Sequence, residues 1–557
     1  MNRVYGLDGC YRRSVAAVII LALTFFTGKD SSAEPLGNCE SLQALNLAET
    51  QITLAENVRP GLKPPTPEYD ITSGELAAID TAFCRVLGVI EPAIHFEVWL
   101  PLSDSWNGRL HAVGNGGMAG SINYTGLKSV VENGFAAVSS DLGHKSGPLE
   151  GGWAIGRPDL VTDWGHRATH EMTVKAKAII NAYYGKGPTY SYFSGCSGGG
   201  RQAMMQAQRY PEDFDGILVG DPTMDFTNLV AGGRLWQVRA NFDAARQTNH
   251  LKEKHVQLIS DAVIAACDAI DGVEDGVLED PRRCDFDPAT LQCQKDTQER
   301  CLTPEQVAAL SKVYQGAKTS AGRQIYPGYP SGGELDRTGW VSYFAGEVPS
   351  EGLQWNYAKG FLQGLVFENP AYDMQAFHYE TDVPEMNRKQ VQGEALADVI
   401  NAADPDLRAF RDRGGRLIHY HGWNDIGISA LRSIAYYEEV ARVINDSNVK
   451  DGLASVQDFY RLFLAPGMQH CFEGPGPNAF GGPFQLQVPP NPAHDIFRAL
   501  QRWVERGIAP EKIIAIKYTN DDPAKGVLRT RPLCPYPKKS VYTGLGSTDN
   551  AQNFQCE

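Results

Sequence analysis

Residues 195–199 read Gly-Cys-Ser-Gly-Gly and stand between an apolar stretch and a segment with helical spacing. A strand–turn–helix junction of this kind needs small residues, because the two backbones approach closely at the turn. In the G-x-S-x-G pattern the turn lifts the serine above the edge of a sheet, where its hydroxyl can act as a nucleophile. The alternative, a phosphate-binding turn, lacks both the G-x-G-x-x-G spacing and the G-K-[ST] ending. The motif therefore makes Ser197 the candidate nucleophile of an α/β protein.

Strand-like and helix-like segments alternate on both sides of this motif. The runs 190–195 and 214–222 are typical of buried strands, and 166–185 carries apolar residues at helical spacing. Such alternation predicts a mostly parallel sheet with helices on both faces. The pattern fades in a cysteine- and aromatic-rich region and then resumes. We therefore expect a signal peptide at 1–33, an N-terminal arm at 34–75, an α/β core at 76–222 and 406–557, and an inserted lid at 223–405.

The first 33 residues are typical of a secretory signal peptide. Arg12 and Arg13 precede an apolar run, and the small residues Ser31 and Ala33 offer a cleavage site. The run is shorter than the ~18 apolar residues of a membrane span, so a membrane anchor is the less favoured alternative. Eleven cysteines become ten once Cys10 is removed, and an even number suits disulfides in an exported protein. The expected location is secreted or periplasmic.

The chain is acidic, with a formal net charge of −15 at pH 7. Removal of the predicted signal peptide, which holds four basic and two acidic residues, makes the charge −17. An acidic surface repels nucleic acid and anionic membranes. We therefore expect a small-molecule partner, with no nucleic acid and no membrane bound after signal cleavage.

A nucleophilic serine needs a general base, and the base needs an orienting acid. In α/β-hydrolases the acid follows the serine in the chain and the histidine comes last. His470 lies in a loop after a predicted strand, where the base belongs, whereas His494 begins a helix with a polar face. The sequence therefore predicts His470 as the base.

Two aspartates compete for the role of the acid. Asp425 follows the strand within 410–425, and Asp221 follows the strand before it. We favour Asp425 because it stands at the usual post-strand position, and Asp221 stays the alternative. His419 and His421 are expected to be strand residues without a catalytic role.

The oxyanion hole is expected from the loop after an earlier strand together with the N–H that follows the nucleophile. The loop 113–120 supplies flexible glycines, so Gly117, or its neighbour Gly116, would pair with Gly198. A flexible turn without such a role is the alternative.

Two cysteines flank the predicted catalytic residues. Cys196 precedes the nucleophile and Cys471 follows the base. If Ser197 and His470 touch, the two cysteines must lie close together, and a disulfide would tie the nucleophile turn to the base loop.

The set Cys–Ser, then Asp, then His–Cys resembles the tannase/feruloyl esterase family, over nearly all of the predicted mature chain. That family includes feruloyl esterases, tannases and enzymes similar to mono(2-hydroxyethyl) terephthalate hydrolase. The resemblance implies an α/β-hydrolase core with a large inserted lid, a triad of Ser197, Asp425 and His470, and a Cys196–Cys471 disulfide.

Residues 267–284 form an acidic segment bracketed by cysteines. From the residues alone, a solvated loop and a calcium site are both open, because carboxylates and carbonyls in a turn-rich run can converge on a hard cation. The family resemblance implies a structural calcium ion held by the side chains of Asp268, Asp271 and Asp275 and by the carbonyls of Val273 and Val277.

Eight further cysteines remain, and their spacing alone leaves the connectivity open. We expect the pairs Cys39–Cys84, Cys267–Cys284, Cys293–Cys301 and Cys534–Cys556.

The expected function is a serine carboxylesterase acting on esters of aromatic (phenolic) acids. The resemblance favours feruloyl esters first, then gallate esters or a terephthalate monoester. The last would need a lid cation for its free carboxylate, and the sequence offers Arg337, Lys359, Arg388 and Lys389. The alternatives are a non-catalytic polyphenol-binding protein on a hydrolase scaffold and an amidase or peptidase.

Overall fold

The structure is a computed structural model that describes residues 38–65, 76–294, 300–336, 338–445 and 449–557. The predicted signal peptide at 1–33 and Arg337 lie outside the described residues.

A nine-stranded mixed sheet forms the centre of the protein. The strands, labelled in chain order, are β1 (Thr50–Val58), β2 (Phe83–Ile90), β3 (Ile94–Pro101), β4 (Arg109–Val113), β5 (Ala136–Ser140), β6 (Tyr190–Cys196), β7 (Gly216–Gly220), β8 (Arg416–Gly422) and β9 (Tyr460–Ala465). Their spatial order is β1-β2-β3-β5-β4-β6-β7-β8-β9. The six strands from β5 to β9 in this order run parallel, and β1, β2 and β3 extend the sheet by antiparallel pairing.

Burial explains which segments became central strands. Every residue of β7 is buried, and in β6 and β8 only the first residue is not. Strands covered on both faces read as continuous apolar runs, which is why the sequence predicts them. The edge strand β1 instead mixes buried with exposed positions, and it lies in the segment expected to be an N-terminal arm.

Helices cover both faces of the sheet. Ten helices of nine or more residues occur in the described ranges, namely α1 (Tyr124–Glu132), α2 (Ala168–Tyr184), α3 (Gly198–Arg209), α4 (Glu253–Cys267), α5 (Pro304–Gln315), α6 (Leu353–Phe361), α7 (Tyr379–Arg388), α8 (Ala430–Ile444), α9 (Val449–Gln457) and α10 (Ile496–Arg506). Shorter helices include Pro158–Thr162, Phe226–Asn228, Trp236–Asn241, Trp340–Tyr343, Leu396–Ile400 and Arg408–Asp412.

Adjacent residues of one strand enter two different cores. Phe193 of β6 packs in the core that contains α2 and α8, and its neighbour Tyr192 packs in the core with α1 and α10. Because successive strand residues point to opposite faces, these are the two sides of one sheet. The architecture is an α/β-hydrolase fold, as the sequence predicts.

The segment 223–405 contributes no strand to the central sheet in its described part. It forms helices and three two-stranded hairpins, Phe242–Asp243 with Thr248–Asn249, Ala317–Lys318 with Gln324–Tyr326, and Gln390–Val391 with Glu394–Ala395. Two further hairpins follow β9, Ile513–Tyr518 with Val527–Leu533 and Ser540–Tyr542 with Phe554–Cys556. The division into core and lid stays a prediction.

Ten cysteines of the described residues form five disulfides. These are Cys39–Cys84, Cys196–Cys471, Cys267–Cys284, Cys293–Cys301 and Cys534–Cys556. The pairs are those that the sequence led us to expect. None of the helices described is both long and apolar enough to cross a membrane.

Candidate active site

Ser197 occupies the sharp turn between β6 and α3. Its backbone has φ 64° and ψ −120°, a conformation that residues other than glycine rarely adopt. Such a conformation costs about 1–3 kcal/mol and persists only where the surroundings hold it, commonly at functional sites. The Ser197 N–H donates to the Gly220 carbonyl at the end of β7, at 3.0 Å. The structure thus has the strained serine turn that the G-x-S-x-G motif predicts.

His470 and Asp425 form a hydrogen-bonded pair. His470 follows β9 and Asp425 follows β8, and the distance from His470 Nδ1 to Asp425 Oδ2 is 2.7 Å. The N–H groups of Gly427 and Ile428 donate to Asp425 Oδ1 at 2.7 and 2.9 Å. With the Nδ1 proton donated to the carboxylate, Nε2 is the nitrogen left to accept a proton.

Electrostatics favour the charged form of each partner. Burial raises the pKa of Asp425, but the charge of His470 and hydrogen bonds from His421 and His470 more than offset it, so the pKa lies well below its ordinary value. For His470, burial lowers the pKa, and the charge and hydrogen bond of Asp425 exceed that effect and raise it. Asp425 is therefore a carboxylate that stabilises a protonated His470.

The rival acid, Asp221, lies in the same cluster but does not hydrogen-bond to His470. Asp221, Asp425 and His470 each present an atom within 4.8 Å of the others. The Asp221 side chain is fully buried and accepts the Gly422 N–H at 2.8 Å. Burial raises the pKa of Asp221 to about 7, so this group carries a proton through much of the range in which Asp425 is charged.

His421, expected to be a bystander, lies between the two acids. Its Nε2 is 3.4 Å from Asp425 Oδ2 and 3.6 Å from Asp221 Oδ1, and it also lies 2.9 Å from the Ile428 carbonyl. His419 points elsewhere, to the Tyr460 hydroxyl at 2.8 Å. The sequence offers no local pattern that distinguishes the two histidines. His421 lies beside the acids because it is nearer the carboxyl end of β8.

A disulfide connects the two halves of the candidate triad. Cys196 and Cys471, the neighbours of Ser197 and His470, are bonded with their Cα atoms 6.0 Å apart. The bond joins the end of β6 to the loop after β9, although 275 positions separate the cysteines in sequence. Within the described residues the Ser197 hydroxyl makes no hydrogen bond to His470, so that contact is part of what we propose below.

Gly117 and Gly198 lie against each other. A Cβ placed on Gly198 would be 2.6 Å from the Gly117 oxygen and 2.9 Å from the Gly117 nitrogen, closer than side chains tolerate. Gly117 has φ +54°, and no protein acceptor in the described structure engages its N–H or that of Gly198. The two glycine backbones are thus in close contact beside Ser197, and their role as an oxyanion hole stays a prediction.

Side chains of the lid segment lie over this site. Tyr357 Cε1 would be 3.0 Å from a Cβ on Gly117, and Tyr343 Cε1 would be 2.8 Å from a Cβ on Gly427. The guanidinium carbon of Arg234 stands 4.0 Å from the centre of the Tyr357 ring. Sequence reasoning did not single out Arg234, because nothing in its spacing distinguishes it from other lid arginines.

Of the lid cations considered from the sequence, three lie in the described residues, and each is either bonded to protein oxygens or exposed. Lys389 donates to the carbonyls of Leu365 and Val366 and to Glu368. Arg388 is exposed, and Lys359 is exposed at a cavity of about 600 Å³. The fourth, Arg337, is outside the described residues.

The acidic loop contains the five donors expected for calcium. Asp268 accepts the Gly276 N–H at 3.0 Å, and Asp271 accepts the Val273 and Glu279 N–H groups. Burial, together with repulsion from Asp275 and Asp268, raises the pKa of Asp271, so the three carboxylates interact electrostatically.

The donors do not converge fully in this structure. Asp275 pairs with Arg529, at 2.8 Å, and with Arg531. No three acidic groups of the described loop come within 4.8 Å of one another. The expected ligands are all carboxylate or carbonyl oxygens, which suit a hard cation. Arg529 and Arg531 compete with the cation for one of these ligands, Asp275.

Comparison with known proteins shows the family to which the chain belongs. The sequence matches the family described as "Tannase and feruloyl esterase" over residues 79–557. It is 39% identical to an uncharacterized esterase of Xanthomonas campestris pv. campestris, with 94% of this chain and 92% of that protein covered. It is 33% identical to a probable feruloyl esterase B-2 of Aspergillus flavus, covering 93% of this chain and 95% of the relative.

A solved structure has the same fold. The crystal structure of feruloyl esterase B from Aspergillus oryzae superposes with a TM-score of 0.81 at 29% identity, covering 93% of this chain and 99% of that one. The chain therefore belongs to the tannase and feruloyl esterase family and is a carboxylic ester hydrolase.

Proposed function

We propose that the protein is an exported serine carboxylesterase that hydrolyses esters of aromatic (phenolic) acids, with feruloyl-type esters as the first candidates. One observation carries the proposal: a strained serine turn is joined by a disulfide to the loop of a histidine whose Nδ1 is bonded to a buried aspartate. The relatives named feruloyl esterase support the feruloyl ester as substrate. Five disulfides and the signal-like N-terminus support export to the medium or the periplasm.

The first half-reaction forms an acyl-enzyme. His470 Nε2 takes the proton of the Ser197 hydroxyl while the serine oxygen attacks the ester carbonyl carbon. The N–H groups of Gly117 and Gly198 stabilise the resulting oxyanion. The proton on His470 then passes to the leaving alcohol as the ester bond breaks. Asp425 holds the imidazole in the tautomer that this transfer needs.

The second half-reaction releases the acid. A water molecule gives its proton to His470 Nε2 and attacks the acyl carbon, and the same two N–H groups hold the second oxyanion. Collapse of this intermediate returns the proton from His470 to the Ser197 oxygen. The enzyme is restored with one ester and one water converted into one acid and one alcohol.

Other acids of the same class stay as alternatives for the substrate. Gallate esters and a terephthalate monoester would use the same triad and differ in what the acyl group meets in the lid. The esterase relatives leave the binding-protein and amidase alternatives without support.

We also propose that the acidic loop binds one structural calcium ion. Asp268, Asp271 and Asp275 would supply carboxylates, and Val273 and Val277 carbonyls. The ion would offset the burial and the repulsion that together raise the pKa of Asp271. It takes no part in the ester chemistry proposed here.

Replacement of the nucleophile tests the mechanism. Ser197→Ala removes the acyl acceptor, so hydrolysis of methyl ferulate, methyl gallate and a terephthalate monoester should fall by about 10³–10⁶-fold while the circular dichroism spectrum is unchanged. The unchanged protein assayed on the same panel identifies the preferred acid. A variant that keeps a tenth of the activity would exclude Ser197 as nucleophile.

Matched amide substitutions separate the two buried acids. Asp425→Asn should lower kcat/KM by about 10³–10⁴-fold, because the amide no longer favours the tautomer and charge that His470 needs. Asp221→Asn should cost less than about tenfold, because a carboxyl that is protonated near neutrality resembles an amide. The opposite ranking would assign the acid to Asp221.

The pH profile of kcat/KM reports the base. Protonated His470 cannot accept the serine proton, so activity is lost as pH falls through the pKa of this group. Because Asp425 raises that pKa, the acidic limb should lie above the ordinary value of about 6.5. In Asp425→Asn the limb should move to lower pH, and an unmoved limb would show that another group controls it.

The disulfide beside the triad should matter for geometry more than for folding. Closure of a loop of this length allows up to about 5 kcal/mol of stabilisation, though measured values are often smaller. A Cys196→Ala/Cys471→Ala variant should stay folded but lose about 100-fold in kcat/KM, as expected for a displacement of about 1 Å between reacting groups. Cys293→Ala/Cys301→Ala is the matched control and should keep full activity. Equal activity of both variants would make Cys196–Cys471 a packing element only.

Metal analysis tests the calcium proposal. Protein purified without chelator should contain about one calcium ion per chain, and chelation should lower Tm. Asp268→Asn should abolish both effects, whereas Asp261→Asn, an exposed acid on α4, should retain them. Metal-free protein with an unchanged Tm would leave the loop as a solvated acidic segment.

A further inference from the structure

A buried guanidinium in the lid, that of Arg234, has few partners among the residues that the structure describes. The Arg234 side chain is 3% exposed, yet none of its nitrogens forms an ion pair with an acid of the described structure. Its single hydrogen bond runs from Nη1 to the Gln354 Oε1 at 3.3 Å, and Nε is buried without an acceptor. Nη2 makes no hydrogen bond to the described residues. A charged group that is removed from water without acceptors is costly unless something supplies them.

Arg201 is a buried arginine that has more acceptors than Arg234, although its Nε also lacks one. Arg201 is fully buried and also lies over an aromatic ring, that of Trp164 at 4.1 Å. It donates to three main-chain carbonyls, those of Gly165, Trp164 and Ile400. Arg234 also lies over an aromatic ring, that of Tyr357, but it donates to a single acceptor, the amide oxygen of Gln354. The difference is in the number of acceptors, and it leaves Arg234 with donors to spare.

The layer around Arg234 has an excess of donors. Gln354 Nε2 donates to Gln237 Oε1 at 2.8 Å and to the Ile426 carbonyl at 2.9 Å, and Gln354 Oε1 is the oxygen that accepts from Arg234. The Gln237 Nε2 is buried without an acceptor. The Tyr329 hydroxyl is committed to the Gly233 carbonyl at 3.3 Å. Buried donors without acceptors mark a place where a ligand oxygen would be stabilised.

This layer borders the catalytic groups on two sides. On one side the Arg234 guanidinium lies over Tyr357, whose ring lies against Gly117 of the predicted oxyanion hole. On the other side Gln354 holds the carbonyl of Ile426, the residue after Asp425. The Tyr357 ring therefore contacts both the Arg234 guanidinium and Gly117, where the substrate carbonyl is expected to bind.

We propose that Arg234 is a specificity-determining residue that binds an oxygen acceptor on the distal end of the acyl group. The acceptor is a ring hydroxyl or methoxy oxygen of a phenolic acid, or the free carboxylate of a dicarboxylic acid monoester. Both offer lone pairs to a guanidinium, which binds planar oxygen groups through paired N–H donors. The proposal rests on the proposed esterase function and names what that site selects. Arg234 takes no part in proton transfer.

Pairs of substrates that differ in the distal oxygen test the proposal. Methyl ferulate is compared with methyl cinnamate, and monomethyl terephthalate with methyl benzoate, each ratio of kcat/KM being measured on one enzyme preparation. In Arg234→Met at least one ratio should fall by about 10–100-fold, the loss expected when a charged hydrogen bond is removed. The pair whose ratio falls identifies the oxygen. Arg234→Lys should restore part of the ratio for the carboxylate pair and little for the phenolic pair.

Arg239→Met is the matched control. Arg239 is a lid arginine that lies over the Tyr379 ring and donates to the Phe377 carbonyl at 2.6 Å, and its side chain is only half-buried, so water can reach its other donors. Its substitution should leave both ratios unchanged. Two unchanged ratios in Arg234→Met, or an equal loss on all four esters, would overturn the proposal, the second because it indicates a structural role.

Binding of free acids to the unchanged protein keeps the proposal testable if Arg234→Met does not fold. Calorimetric Kd values for 4-hydroxycinnamate and terephthalate should be about 10–100-fold lower, for at least one of the two, than those for cinnamate and benzoate. Equal Kd values within both pairs would contradict the proposal. Failure of the unchanged protein to hydrolyse any of the four esters would reject the proposed function instead, and the acid-binding comparison would still decide the role of Arg234.

Discussion

The turn between β6 and α3 is held by contacts between backbones, and the rest of the site is built around it. A Cβ on Gly195, Gly199 or Gly200 would lie 2.4, 2.8 and 2.3 Å from a backbone oxygen of Gly199, Asn115 and Gly220 respectively. Those oxygens belong to the helix itself, to the loop after β4 and to the end of β7. Because these nearest atoms are main chain, no rotamer change can relieve an added methyl group. The absence of side chains at these positions lets three elements meet at Ser197 and keeps its unfavourable backbone conformation in place.

The two buried acids near His470 differ in the contacts that stabilise their charge. Asp221 and Asp425 both follow parallel strands and both are buried, but the second receives two main-chain N–H groups on one oxygen and His470 on the other. Asp221 has one N–H and a more distant histidine, so burial dominates and raises its pKa. Four titratable groups in contact should release protons as a coupled set, and below a pH of about 7 the protonated Asp221 keeps two carboxylates from facing each other.

Local constraints explain which parts the sequence could predict. The serine turn depends on residues within five positions, and the buried parallel strands read as apolar runs, so Ser197 and most of the central strands were expected. The order of acid and base then placed Asp425 and His470 at strand ends. The strand β1 was not predicted, because an edge strand with one exposed face resembles an extended arm. Arg234 was not predicted either, because the residues around it, Gln354 and Tyr357, come more than a hundred positions later. A residue whose role depends on such distant contacts leaves no local pattern.

The disulfide between Cys196 and Cys471 also changes the topology of the chain. Together with the peptide backbone it closes a covalent ring that contains the whole of the segment 223–405. A single peptide bond cut anywhere in that segment would open the ring without separating the strands before it from those after it. Ser197 and His470 would stay in one covalently joined molecule, now made of two polypeptides. The lid segment can therefore be nicked while the two parts of the central sheet remain bound to each other.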